Sequence, residues 1–127
     1  FRPAHLTHDR EELERYLSDS LIQRRLTSRL GCRMLEGCAS VGAQADELTL
    51  PVLILAAGDD RIVSLEKTKS FFERIASKEK KIQIFDGFYH ELIHEREREK
   101  PIAVLKDYLI HLGLPPSGTA ELKGSGQ

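Results

Sequence analysis

The sequence predicts an α/β fold, and three observations carry that expectation. LPVLILAA, residues 50–57, is apolar without alternation, as a parallel strand covered on both faces is. KIQIFD, residues 81–86, alternates Ile82 and Ile84 with Lys81 and Gln83, as a strand nearer a sheet edge does. Helical spacing fills the interval between them and resumes afterwards. Strand, helix, strand, helix from residue 50 onward gives a parallel pair joined by a right-handed crossover.

In chain order, Asp9 followed by Glu12 forms a D-x-x-E capping box ahead of Leu13, Tyr16 and Leu17, which predicts a short amphipathic helix. A second helix is predicted from about Leu21 to Cys38. Ile22, Leu26, Leu30 and Met34 make an i, i+4 apolar stripe there, with arginines at 24, 25, 29 and 33 off it. Gly37 to Asp46 is small and polar and is predicted to be a connector. After the first strand, Gly58-Asp59-Asp60-Arg61 is predicted to turn. Ser64 is predicted to cap a helix from Leu65 to about Ser77 that buries Leu65, Phe72 and Ile75. Lys78 to Lys81 is predicted as a charged turn. In the last helix Pro101 suits the first turn, and Ile102, Leu105, Leu109 and Leu112 are spaced 3, 4 and 3. Gly113 ends that helix and Pro115-Pro116 prevents its resumption. The order sets three expected regions. Residues 1–46 form a helical layer with a connector, 47–113 an α/β segment, and 114–127 a disordered tail.

Composition narrows the function. The 127 residues suit one domain, and a net charge of -1, from 19 basic and 20 acidic residues, gives no basic field for nucleic acid. No apolar run approaches the roughly 20 residues that span a bilayer. Cys32 and Cys38, six apart on a predicted helix, face different ways and are expected as free, mostly buried thiols in a reducing, cytoplasmic compartment. The chain opens on Phe1 without Met, and its first residues read as the interior of a structure, so a piece of a longer protein is expected.

The chemistry gathers where both strands end. In open α/β sheets, ligands bind beyond the carboxyl ends of the strands. The loops DDRIV (59–63) and GFYHE (87–91) both follow such ends, so Asp60 and His90 are expected on one sheet edge. A carboxylate that accepts from a His Nδ1–H fixes the tautomer and stabilises the imidazolium formed when Nε2 takes a proton. Asp59 is expected to be a turn residue that satisfies its own backbone.

These residues resemble a known family. Asp60-Arg61-Ile62-Val63, the paired Phe71-Phe72, and Gly87-Phe88-Tyr89-His90-Glu91 with Glu95 four residues on are similar to the C-terminal third of an α/β-hydrolase. The likeness is greatest to the serine aminopeptidase S33, or hydrolase-4, group of monoacylglycerol lipases and lysophospholipases. The resemblance runs from about Leu50 to Leu112. It implies two parallel strands with flanking helices, preceded by helices from the end of a cap, since YLSDSLI (16–22) resembles the cap-end segment, though Ser20 stands where Pro is common. Ala57 likewise stands where the family turn has Gly. The resemblance implies Asp60 as triad acid, His90 as base, and Glu91 and Glu95 as braces of the loop. It implies an acyl-ester or lysolipid substrate and no metal or organic cofactor. The arginines at 24, 25, 29 and 33 are expected on a solvated helix face, with a peripheral membrane contact at lipid phosphate as the alternative.

The family's nucleophile has no match. Its Ser sits in a Gly-x-Ser-x-Gly elbow between strand and helix, and no such motif occurs in the 127 residues. The nearest stretch, Cys38-Ala39-Ser40-Val41-Gly42, follows a predicted helix, and Cys38 would crowd the sharp turn. The His-Gly oxyanion loop is absent too. The chain is therefore expected to carry acid and base, to be inactive alone, and to need the N-terminal half of the fold for nucleophile and oxyanion hole. Self-association through an open edge of strand 50–57 is expected in the absence of that half. Two other readings use the same residues. HELIH, residues 90–94, is a literal His-Glu-x-x-His, which binds zinc when both His share a helix face. A truncated, non-catalytic paralogue or interaction module is the other.

Overall fold

The computed structural model of the chain describes residues 2–23 and 25–114. Its centre is a parallel pair, β1 (Val52–Ala57) and β2 (Lys80–Phe85), in a register that sets Val52 opposite Lys80 and Ala57 opposite Phe85. β1 lies within the expected 50–57 and β2 within a residue of the expected 81–86. Helix α3 (Leu65–Arg74) connects them and helix α4 (Glu99–His111) follows. Ahead of this unit come α1 (Arg10–Ser18) and α2 (Ser28–Ala43). Ala57, Phe85 and Phe88 form the buried core, with Leu55, Leu92 and Val104 against it. Among the described residues β1 has one hydrogen-bonded neighbour. Only Ala56 and Ala57 of β1 are buried, while Val52 to Leu55 are half-buried, short of the two-sided cover expected.

Helix boundaries follow local hydrogen bonds more than apolar spacing. Asp9 Oδ1 caps α1 by accepting from the N–H groups of Glu11 and Glu12. The expected box closes on one side only. The Asp9 N–H donates to Thr7 Oγ1, and the Glu12 carboxylate turns to Arg15 and Arg98. Helix α2 is displaced from the expected 21–38. Asp19 accepts from the Leu21 N–H and holds a turn, and Thr27 then caps the helix by accepting from the Leu30 N–H. The helix runs on to Ala43 through the expected connector, because glycine weakens a helix by about 1 kcal/mol without breaking it. Leu26, Leu30 and Met34 are exposed, and so are Cys32 and Cys38, contrary to the expected buried thiols.

Ser64 caps α3 through the Lys67 N–H, and the helix stops at Arg74 because Ile75 turns extended and buries its side chain. Its open end is closed from β2. Lys80, expected in a turn, begins the strand and sends its ammonium to the carbonyls of Phe72, Glu73 and Ile75 at 3.0, 3.0 and 2.7 Å. All three N–H donors of the side chain are used on the negative end of the helix. Lys80→Met keeps the aliphatic stem and removes these bonds. It is expected to cost about 1.5–3 kcal/mol, measured as a lower midpoint of urea unfolding.

Helix α4 buries Pro101 in its first turn. It ends in a Schellman motif in which Gly113, at φ 77°, donates its N–H to Ile110 O and Leu114 donates to Leu109 O. The stop at Pro115-Pro116 and the tail expected from residue 114 fall, beyond Leu114, outside the described residues.

Candidate active site

Both strands end at the same level, and the loops beyond them are joined backbone to backbone. Gly58 N–H donates to Phe85 O at 2.8 Å, and Asp59 N–H donates to Phe88 O at 3.0 Å. The approach leaves no room for a side chain. A Cβ at Gly58 would lie 2.8 Å from Asp86 Cα and 2.9 Å from Phe85 O, both backbone atoms. Glycine is thus required two residues before Asp60.

Asp60 and His90 are brought together. His90 Nδ1 lies 2.9 Å from Asp60 Oδ2. An ionised carboxylate only accepts, so Nδ1 carries the hydrogen and Nε2 presents its lone pair. Nε2 has no protein partner among the described residues. The Asp60 side chain is 10% exposed and that of His90 34%. Asp60 Oδ1 accepts from the N–H groups of Ile62 and Val63, at 2.8 and 2.9 Å. The aspartate that satisfies its own turn is therefore Asp60, not Asp59, which is exposed. Burial pushes the Asp60 carboxyl up, but the Val63 N–H, the His90 ring and the Ile62 N–H together outweigh it and hold its pKa below the ordinary value. A cavity of about 200 Å³, lined by Leu55, Ala57, Val63, Leu65 and Leu92, adjoins the pair.

His90 and His94 do not share a helix face. Residues 92–94 form a single 3-10 turn rather than a helix face, and His94 Nδ1 meets Glu91 Oε2 at 2.6 Å. Ser40 lies within α2, exposed. Glu95 is buried, with 3% exposure, beneath the loop. Its Oε1 accepts from the N–H groups of Tyr89 and His8 and from His8 Nδ1, at 3.0, 3.1 and 2.9 Å. His8 lies outside every motif that the sequence offers. Its partner lies 87 positions away, so no local pattern could have revealed it.

Residues 2–97 match the sequence profile of the serine aminopeptidase S33 family, the hydrolase-4 group. The chain belongs to the serine aminopeptidase S33 family. This S33 chain is 31% identical over 94 residues to the phospholipase YtpA of Bacillus subtilis, covering 73% of the chain and 36% of that protein. It is 31% identical over 91 residues to the monoglyceride lipase of Mus musculus, covering 71% of the chain and 30% of that protein. The crystal structure of Paleococcus ferrophilus monoacylglycerol lipase superposes with a TM-score of 0.83 at 27% identity, over 87% of the S33 chain and 44% of the other. The fold is accordingly that of an α/β-hydrolase. The S33 chain spans about a third of these curated relatives and less than half of the solved one. Among the described residues, no helix is long and apolar enough to cross a membrane.

Proposed function

We propose that this chain supplies the acid, Asp60, and the base, His90, of a serine ester hydrolase acting on monoacylglycerol or lysophospholipid. The nucleophile and oxyanion hole come from sequence outside these 127 residues. The observation that carries the proposal is the 2.9 Å contact of His90 Nδ1 with a carboxylate that two backbone N–H groups already hold in place. The similarity to a phospholipase and to monoglyceride lipases supports the lipid ester as substrate class.

The chemistry follows from that geometry. His90 Nε2 takes the proton of the serine hydroxyl as its oxygen attacks the ester carbonyl. The imidazolium is stabilised by Asp60 and returns the proton to the leaving alcohol, which leaves an acyl-enzyme. Water then repeats the sequence, giving its proton to Nε2 and releasing the fatty acid. No metal enters these steps.

The test uses the complete enzyme that carries this chain. His90→Ala is expected to abolish hydrolysis of a p-nitrophenyl ester while the circular dichroism spectrum is unchanged. Retained turnover would remove His90 from the mechanism, and loss of turnover to chelators without labelling by a fluorophosphonate would favour the zinc chemistry of HELIH instead.

A further inference from the structure

Another imidazole–carboxylate pair, His8 with Glu95, stands close to that of His90 and Asp60, and its bonds converge on the backbone around His90. The peptide N–H before His90, that of Tyr89, donates to Glu95 Oε1 at 3.0 Å. The N–H after it, that of Glu91, donates to Leu6 O at 2.8 Å. Thr7 Oγ1 donates to His94 O at 2.7 Å, and the Thr7 side chain is itself buried. The His8 ring lies 3.6 Å, centroid to centroid, from that of Tyr89, and the Arg61 guanidinium, next to Asp60, lies 5.0 Å from the same Tyr89 ring. Residues on both sides of the base are thus fastened to one strip of chain, Leu6–Asp9, Glu91 through Leu6 O and Tyr89 through the His8 ring, while Arg61 beside the acid meets that strip only by way of Tyr89.

We propose that His8 and Glu95 are positioning residues for His90, and that Leu6–Asp9 is the clamp that holds the base at the height of Asp60. The inference rests on His90 being the base. Neither side chain need touch substrate. Glu95 is enclosed beneath the loop, and His8 Nδ1 is spent on it. What they determine is where Nε2 stands. Displacing a catalytic group by about 1 Å can cost ~100-fold in rate without altering how substrate is held. The clamp therefore acts on kcat rather than on KM.

The complete enzyme is assayed on a p-nitrophenyl ester, with active sites counted by titration to the endpoint with a fluorophosphonate. His8→Ala is expected to lower kcat per active site about 10- to 100-fold with KM unchanged. His8→Phe, which keeps a ring against Tyr89 but removes the donor, is expected to fall in the same direction. His8→Asn, whose side-chain N–H can occupy the place of Nδ1, is expected to restore kcat to within about threefold of the parent. If both His8→Phe and His8→Asn match the parent per active site, or if His8→Ala changes KM alone, the positioning role is overturned while the triad stands. His90→Ala, run beside them, reports on the triad separately, since turnover retained there overturns the base and leaves the clamp nothing to position.

Discussion

Asp60→Asn in the complete enzyme is expected to lower kcat by about four orders of magnitude with little change in fold or KM. The substitution is nearly isosteric. The amide oxygen still accepts from the Ile62 and Val63 N–H groups, so the turn survives. The amide nitrogen then faces His90 Nδ1, where the carboxylate accepted before. Two donors cannot share that contact, so the ring shifts its hydrogen to Nε2 and loses the lone pair that takes the serine proton. The positive charge formed during attack also loses its counter-ion. Asp59→Asn, at an exposed position that meets Phe88 through its backbone N–H, is expected to stay within about twofold of the parent. Steady-state kinetics on a p-nitrophenyl ester decide between the two neighbours. Equal losses at both positions would detach Asp60 from the role assigned to it.

Glu95→Ala is expected to have the largest effect on stability. It strips a buried carboxylate from the His8 ring and from the N–H groups of His8, Tyr89 and Arg96. Each buried donor left without its acceptor costs about 1–3 kcal/mol. Glu95→Gln keeps one acceptor oxygen and is expected to lose roughly 1–2 kcal/mol at neutral pH. The acid limb separates the contribution of charge from that of shape. Burial raises the Glu95 carboxyl, but the Tyr89 N–H, the His8 ring and the His8 N–H outweigh it, so the folded pKa lies below the ordinary 4.5. The unfolded chain therefore binds this proton first as pH falls. The carboxylate's contribution is complete above about pH 4.5 and disappears as pH drops through the folded pKa. Urea titrations across that range are expected to show a shallower acid limb in Glu95→Gln than in the parent. A parallel limb would mean that the charge is not what holds the loop.

Asp60 and His90 were legible in the sequence because each lies in a short motif directly after a strand, and strand ends are where an α/β sheet collects polar loops. β1 and β2 were legible for the reasons a strand is: one is an apolar run, the other alternates. What escaped reading has a common physical basis in side chains that act across distance. Lys80 looks like one of four residues in a charged turn, yet it closes α3 from the neighbouring strand. His8 looks like a surface residue and is bound 87 positions downstream. The start of α2 was misplaced because Ile22 and Leu26 keep helical spacing although the turn at Asp19 and the cap at Thr27 exclude them from the helix. Exposed thiols on that helix follow from the same error, since an apolar stripe does not show which neighbour is present to cover it.

The backbone joint at Gly58 and Asp59 has a consequence for which parts of this unit can vary. On the proposed reading, Asp60 and His90 are spaced by two hydrogen bonds between loops, by the level at which β1 and β2 end and by the Leu6–Asp9 clamp, not by the connection that links the strands. The exposed face of the helix between them can exchange its residues while the contact of Asp60 with His90 stays constant. The crossover helix is thereby the part of this unit free to vary on its outer face, with the joint of the two loops unaffected beneath it.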